Sequence, residues 1–229
     1  MLTLFELALA DEDVRPSPYC WIVKFALLHK GVQFETKPLP FADKSKYPDP
    51  EYGKVPVLVS DGEVVKESAV ITQWLDRKYP QNPLVASKAE KAAAEFYAAW
   101  IGSALYPALA PMLMMRLFSV IAETDKPYFR QTREGRFGKT LEEVAATPGV
   151  AERAEAALAV LAAPLANHRY LGGSAPNLAD YIVFGPFMWQ RLVTMTELYE
   201  TPAPVAQWRE RMLDLYGGYA RDAKSAEAA

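Results

Sequence analysis

The chain has 229 residues, a formal net charge of −3, 51% hydrophobic and 12% aromatic residues. That length suits one large domain or two small ones packed together, and the apolar content excludes disorder as the default for any long stretch. The near-balanced charge offers no general attraction to nucleic acid or anionic lipid, and the single cysteine, Cys20, excludes an intramolecular disulfide and suits a reducing, cytoplasmic setting.

The chain opens Met1-Leu2-Thr3-Leu4-Phe5-Glu6, with neither the basic region nor the apolar run of a signal peptide. Leu2 to Leu7 reads as a buried strand. Ser17 to Lys30 reads as a helix with Trp21, Ile22, Phe25, Ala26 and Leu28 on its apolar face, stopped by Gly31. Val32 to Thr36 alternates as a second strand, and Phe41 to Gly53 is a polar loop. Val57-Leu58-Val59 and Glu63 to Lys66 flank Ser60-Asp61-Gly62 as a hairpin, and helical spacing returns from Ser68 to Tyr79. The order β-α-β, loop, β-β-α demands one parallel crossover plus an antiparallel pair, the layout of a thioredoxin-like domain over residues 1–80.

Tyr79-Pro80-Gln81-Asn82-Pro83 reads as a linker. Beyond it, residues 87–229 read as an all-helical domain. Helices are expected over Ser87 to Phe118, bent at Pro107 and Pro111, then Arg130 to Ala146, Val150 to Asn167, Asn177 to Thr194 and Ala203 to Tyr216, with a frayed tail after Gly217. The longest apolar stretch, Leu105 to Met115, falls short of a membrane span.

Three short segments carry chemistry. Ser17-Pro18-Tyr19-Cys20 opens the first helix, where Ser17 is either a plain N-cap or a hydroxyl able to donate to a thiolate held at the positive end of the helix dipole. Moving a thiol from about 8.5 to about 6.5 takes only about 2.7 kcal/mol, within reach of one such bond plus the dipole. Lys54-Val55-Pro56-Val57 either initiates a strand or, with Pro56 cis, offers the Val55 main chain to an extended peptide. At Glu67-Ser68, Ser68 is either a simple N-cap or, with the helix N-terminus, a carboxylate holder, while Glu67 accepts from an amine.

In this order and on these elements, the segments resemble the glutathione transferase superfamily. Asn177-Leu178-Ala179-Asp180-Tyr181 is similar to that family's capping motif in a late buried helix, which makes Asp180 a folding residue. More narrowly, Ser17 to Trp21 through His29-Lys30-Gly31, and Asp61-Gly62-Glu63 through Tyr79-Pro80, look like the bacterial β-aryl etherases and their fungal relatives. The resemblance implies glutathione as co-substrate: Ser17 at its sulfur, Val55 (with Pro56) at its cysteinyl backbone, Glu67 and Ser68 at its γ-glutamyl end, and Lys54 or Lys44 at its glycyl carboxylate. It also implies a homodimer.

Serine at position 17 disfavours disulfide exchange, and Cys20 reads as a packed small side chain. The expected chemistry is attack of the thiolate on an apolar or aromatic electrophile, with aryl-ether cleavage as one variant. Trp100, Tyr106, Leu109, Met112, Met115 and Phe118 are candidate pocket walls, Tyr106, Met112 and Met115 foremost; core packing is the other reading for each. His29 and His168 have no metal-binding or triad pattern around them, and Arg130, Arg133 and Arg136 read as a solvated face. The alternative to an enzyme is a non-catalytic carrier or assembly module on the same fold.

Overall fold

A computed structural model of the chain describes residues 1–226. Four strands, β1 (Leu2–Leu7), β2 (Phe34–Leu39), β3 (Val57–Ser60) and β4 (Glu63–Lys66), form one mixed sheet in the order β2-β1-β3-β4. β1 pairs parallel with β2 and antiparallel with β3, and β3 pairs antiparallel with β4. Helix α1 (Pro18–His29) makes the crossover from β1 to β2, and α2 (Ser68–Lys78) follows β4. The β3–β4 turn has positive φ at both Asp61 (49°) and Gly62 (88°), the primed-turn geometry that matches strand twist. β2 runs further than its alternation predicts, through Lys37 and Pro38. It is an edge strand, where a residue without an N–H is tolerated.

The helical part comprises α3 (Lys88–Trp100), α4 (Tyr106–Val120), α5 (Lys126–Phe137), α6 (Leu141–Ala145), α7 (Val150–Asn167), α8 (Leu178–Val193) and α9 (Ala203–Gly218). The expected single helix is interrupted by a π-helical turn, Ile101–Leu105, just ahead of Pro107, and Pro111 sits inside α4. The whole run Lys88–Val120 spans 33 residues and, by length and composition alone, is apolar enough to cross a bilayer, longer than the stretch counted in the sequence. Here α3 packs on α8, and α4 on α6, α7 and α8.

The single helix expected over 130–146 is two. Gly138 adopts the left-handed conformation (φ 65°) and ends α5, and Thr140 with Glu143 forms a capping box that starts α6. The tail does not fray at Gly217. Tyr216, Gly217 and Gly218 all take positive φ and turn the chain back. Tyr219 then packs edge-on to Trp21 (6.0 Å), Ala220 is fully buried and Lys224 pairs with Asp11.

Asp180 fulfils its expected folding role. Its carboxylate accepts from the backbone N–H groups of Leu171 (2.8 Å), Gly172 (2.9 Å) and Asn177 (3.1 Å) and from Trp208 Nε1 (2.8 Å). Asn177 Oδ1 in turn accepts from Ala179 N–H (2.9 Å). Burial raises the Asp180 pKa, and those four donors oppose it. One core runs through both halves, with α8 as its spine: Phe184 meets Phe25 of α1 (5.2 Å) and Trp208 of α9 (5.9 Å).

Candidate active site

The strand register gathers the three sequence segments at one end of the sheet. Phe5 pairs with Val57, so Pro56 and Val55 lie beside the C-terminal end of β1, from which the chain runs to Ser17. Val57 pairs with Lys66, so Glu67 and Ser68 emerge at that same end.

Ser17 is the N-cap of α1, buried at 8% exposure, with Pro18 at the first helical position. Its hydroxyl accepts from Cys20 N–H at a long 3.4 Å. That bond uses a lone pair and leaves the hydroxyl proton available for donation. Cys20 is fully buried, and burial, then the Glu6 carboxylate, pushes its thiol up to about 12. A thiol so far from ionisation is inert, which supports its reading as packing.

The Val55–Pro56 bond is cis, and Val55 is half-buried immediately ahead of the β3 ladder. At the third segment the structure corrects one assignment. Glu67, not Ser68, is the N-cap of α2, and it makes no side-chain capping bond. Glu67 has φ 68° and ψ 129°, a region non-glycine residues rarely occupy. Ser68 is the first helical residue and is half-buried. Ser68 and the unpaired first N–H groups of α2 therefore stand together at that end of the sheet.

Two tyrosines that sequence reasoning missed stand beside these segments. The Tyr52 hydroxyl is buried without a partner at hydrogen-bonding geometry, and burial first, then the adjacent Glu67 carboxylate, raises its pKa. Tyr47 donates to Pro40 C=O (2.7 Å), accepts from Lys44 Nζ (3.0 Å), and is raised by burial. Both came from a loop without periodicity, so no sequence signal marked them.

Lys24 of α1 is buried and structural. Its ammonium pairs with the fully buried Glu6 (2.7 Å) and stacks over Trp21 (4.4 Å), and Arg15 meets the same carboxylate at 3.3 Å.

On the electrophile side, Tyr106 stands near the opening of α1, its ring 5.6 Å from that of Tyr19 and 6.0 Å from Trp189. Its hydroxyl is buried with no partner at bonding geometry. Met112, Met115 and Phe118 are half-buried against the core, and Leu109 is wholly core. A largely apolar cleft of about 540 Å³ opens among α1, α2, α3 and α8; Tyr19, Ile22, Ser68, Thr72 and Ile101 line it, and none of Tyr106, Met112 or Met115 does.

Arg133 is not on a solvated face. Its guanidinium stacks over Phe129 (4.5 Å) and Phe41 (5.6 Å), and burial lowers its pKa. Arg130, by contrast, bridges Glu142 (2.8 Å) and Glu134 (2.7 Å). Among the described residues no group of three or more His, Cys, Asp or Glu side chains could hold a metal.

Sequence-family comparison matches residues 13–83 to the glutathione S-transferase N-terminal domain and residues 92–215 to the glutathione S-transferase C-terminal domain. "Glutathione S-transferase U4" of Arabidopsis thaliana is 34% identical over 110 residues, 44% of this chain and 49% of that protein. The chain thus spans about half the length of the curated relatives it matches. Among solved structures, a glutathione S-transferase of Ceriporiopsis subvermispora in complex with glutathione matches with a TM-score of 0.73, at 22% identity over 96% of this chain and 93% of that one. A Tau class glutathione S-transferase from mango matches with a TM-score of 0.69, at 19% identity over 99% and 94%. With both family domains matched in order on the fold described above, the chain belongs to the glutathione S-transferase family.

Proposed function

We propose that the protein is a glutathione transferase in which the Ser17 hydroxyl stabilises the glutathione thiolate for attack on an apolar or aromatic electrophile. The observation that carries this is Ser17 itself: a buried hydroxyl at the mouth of α1, its proton not spent on the cap bond, at the sheet end where Val55 and Glu67-Ser68 also emerge. The bound glutathione named for the Ceriporiopsis structure agrees with that reading.

Glutathione would lie extended beside Val55, its cysteinyl amide and carbonyl pairing with that main chain as an added strand. Its γ-glutamyl carboxylate would meet the Ser68 hydroxyl and the α2 N-terminus, and its amine the Glu67 carboxylate. Lys54, exposed and adjacent to Val55, would take the glycyl carboxylate. The thiol proton leaves to solvent on binding. The thiolate then forms a carbon–sulfur bond while the carbon–leaving-group bond breaks, its electron pair going to the leaving group. Holding both reactants supplies much of the acceleration. Tyr106, Met112 and Met115 are the proposed wall for the electrophile. Cleavage of an aryl ether is the same step with a phenolate as leaving group, and rests on the motif resemblance alone.

A homodimer is part of this reading. Val70 of α2 (47% exposed) and Phe96 of α3 (58%) are large apolar side chains left open on successive helices. Sedimentation at micromolar protein tests it. The function is tested by conjugation of glutathione to 1-chloro-2,4-dinitrobenzene, wild type against Ser17→Ala. Loss of rate with substantial glutathione binding retained supports the proposal. Equal rates would remove Ser17 from the chemistry, and no conjugation by either would favour a non-catalytic carrier.

A further inference from the structure

The turn ahead of the cis proline is built to hold Tyr52 against the end of β4. Gly53 N–H donates to Asp49 C=O (3.1 Å) and Tyr52 N–H to Asp49 Oδ1 (3.0 Å), which closes residues 49–53 into one hydrogen-bonded turn. Gly53 then takes positive φ (58°) and redirects the chain toward Val55. The turn is fastened to β4 by Lys66, whose Nζ reaches Asp49 Oδ2 at 2.7 Å. Lys66 and Lys54 stand over the Tyr52 ring at 5.4 Å and 5.8 Å. The ring is thereby set beside the residue that follows Lys66, which is Glu67.

Glu67 lacks any such support from its own helix. It is exposed, holds φ at 68° and makes no side-chain capping bond, so nothing in α2 orients its carboxylate. The Tyr52 hydroxyl, by contrast, is buried and has no partner at hydrogen-bonding geometry. Burial raises the Tyr52 pKa, the adjacent Glu67 carboxylate raises it further, and the Glu67 N–H opposes both. The phenol keeps its proton, and the acceptor beside it is the Glu67 carboxylate. A buried donor without a bond is costly, and a small rotation of one exposed side chain satisfies it.

Resting on the glutathione site proposed above, we propose that Tyr52 is a positioning residue for recognition of the tripeptide's α-amine: its hydroxyl donates to one oxygen of the Glu67 carboxylate as glutathione seats, aiming the other oxygen at the γ-glutamyl ammonium. The bond to the amine is then a charge-assisted pair made by a carboxylate held in place at its far side. Tyr52 serves the amine end of the tripeptide, and Ser17 the sulfur, so the two roles separate by measurement.

Calorimetric titration tests this without requiring turnover. Wild type, Tyr52→Phe, Glu67→Ala and the double variant are each titrated with glutathione and with N-glutaryl-cysteinylglycine, the same molecule without its α-amine. Wild type should bind glutathione roughly tenfold or more tightly than the amine-free analogue. Tyr52→Phe, which keeps the ring and removes only the hydroxyl, should lose roughly five- to tenfold in glutathione affinity and leave the analogue unchanged. Adding Tyr52→Phe to Glu67→Ala should cost nothing further, because the hydroxyl acts through that carboxylate. In conjugation of chlorodinitrobenzene, Tyr52→Phe should raise KM for glutathione by the same factor rather than lower kcat. Equal affinity of wild type for the two ligands overturns the proposal, and that comparison needs no variant to fold. Equal loss of both ligands in Tyr52→Phe, or no loss of either, also overturns it, since the ring would then serve packing alone. If wild type binds neither tripeptide, the glutathione reading falls together with this one. If glutathione binds and Ser17→Ala abolishes conjugation while Tyr52→Phe changes nothing, only the role of Tyr52 falls.

Discussion

Gly185 in α8 ties the fold to the site, and Gly185→Ala tests that tie. A Cβ built there would lie 2.7 Å from the Pro18 carbonyl oxygen, 3.3 Å from the Pro18 carbonyl carbon and 3.4 Å from Ile22 Cγ1. Ordinary contact begins near 3.4 Å, so α1 and α8 would have to separate by roughly 0.7 Å at the residue after Ser17. Backbone cannot rotate away as a flexible side chain would. Overpacking of this kind costs about 1–3 kcal/mol, a fall of roughly 2–4 °C in Tm per kcal/mol for a chain of this length. Displacing Ser17 by a sizeable fraction of an ångström should also lower kcat/KM for chlorodinitrobenzene by roughly ten- to a hundredfold. The control is Gly135→Ala in α5, where a Cβ meets nothing within 4 Å and φ is ordinary. That change should leave kcat/KM alone and raise stability by about 0.5–1 kcal/mol through helix propensity. Thermal melts and initial rates on the two variants decide. A Gly185→Ala protein with wild-type Tm and rate would refute the claim that α8 sets the position of the α1 opening.

Asp180→Asn should lower Tm by roughly 6 °C or more, since it removes a charge that four N–H donors share and turns an amide N–H toward some of them, costing about 3 kcal/mol; kcat per folded molecule should hold, and a fall in kcat at unchanged Tm would assign Asp180 to the chemistry instead. His29 Nδ1 bonds the Tyr181 hydroxyl (2.7 Å), which bonds Tyr216 (2.6 Å), and burial, then Lys30, lowers the imidazole pKa below its usual value near 6.5. The unfolded chain therefore binds the proton more readily, and stability falls as pH drops through about 6.5. Melts at pH 7.5 and 5.5 should show a smaller acid loss in His29→Gln than in wild type; an unchanged loss would exclude His29 as its source. Ser17→Cys should gain exchange with a small glutathione mixed disulfide, because that thiol, unlike buried Cys20, would sit at the sulfur position; an inert variant would mean Ser17 stands elsewhere.

Much of the thioredoxin-like half was legible because its strands are short, apolar and separated by Gly, Pro and Asp turns. β1, α1, the hairpin and α2 fall within a residue or two of where periodicity sets them. Most departures are decided by contacts distant in sequence. Pro38 stays in a strand because β2 lies at the sheet edge; the break at Gly138 is the exception, a local left-handed cap followed by the Thr140–Glu143 capping box. The tail packs because Tyr219 finds Trp21, almost two hundred positions earlier. At the site, Ser17 and the cis Val55–Pro56 were readable from local chemistry. The positive φ of Glu67 was not, since nothing in Lys66-Glu67-Ser68 distinguishes a Glu cap from a Ser cap. Arg133 was misread because helix spacing alone cannot reveal Phe41 arriving from another domain.

The most direct measurement is the ionisation of the glutathione thiol on the protein, followed by ultraviolet thiolate absorbance from pH 5 to 10 with wild type and Ser17→Ala. The account predicts a midpoint near 6.5 on the wild-type protein, about two units under the free thiol, and a return toward about 8.5 when the hydroxyl is removed. An identical midpoint for both proteins, or one at the free-thiol value on wild type, would contradict it.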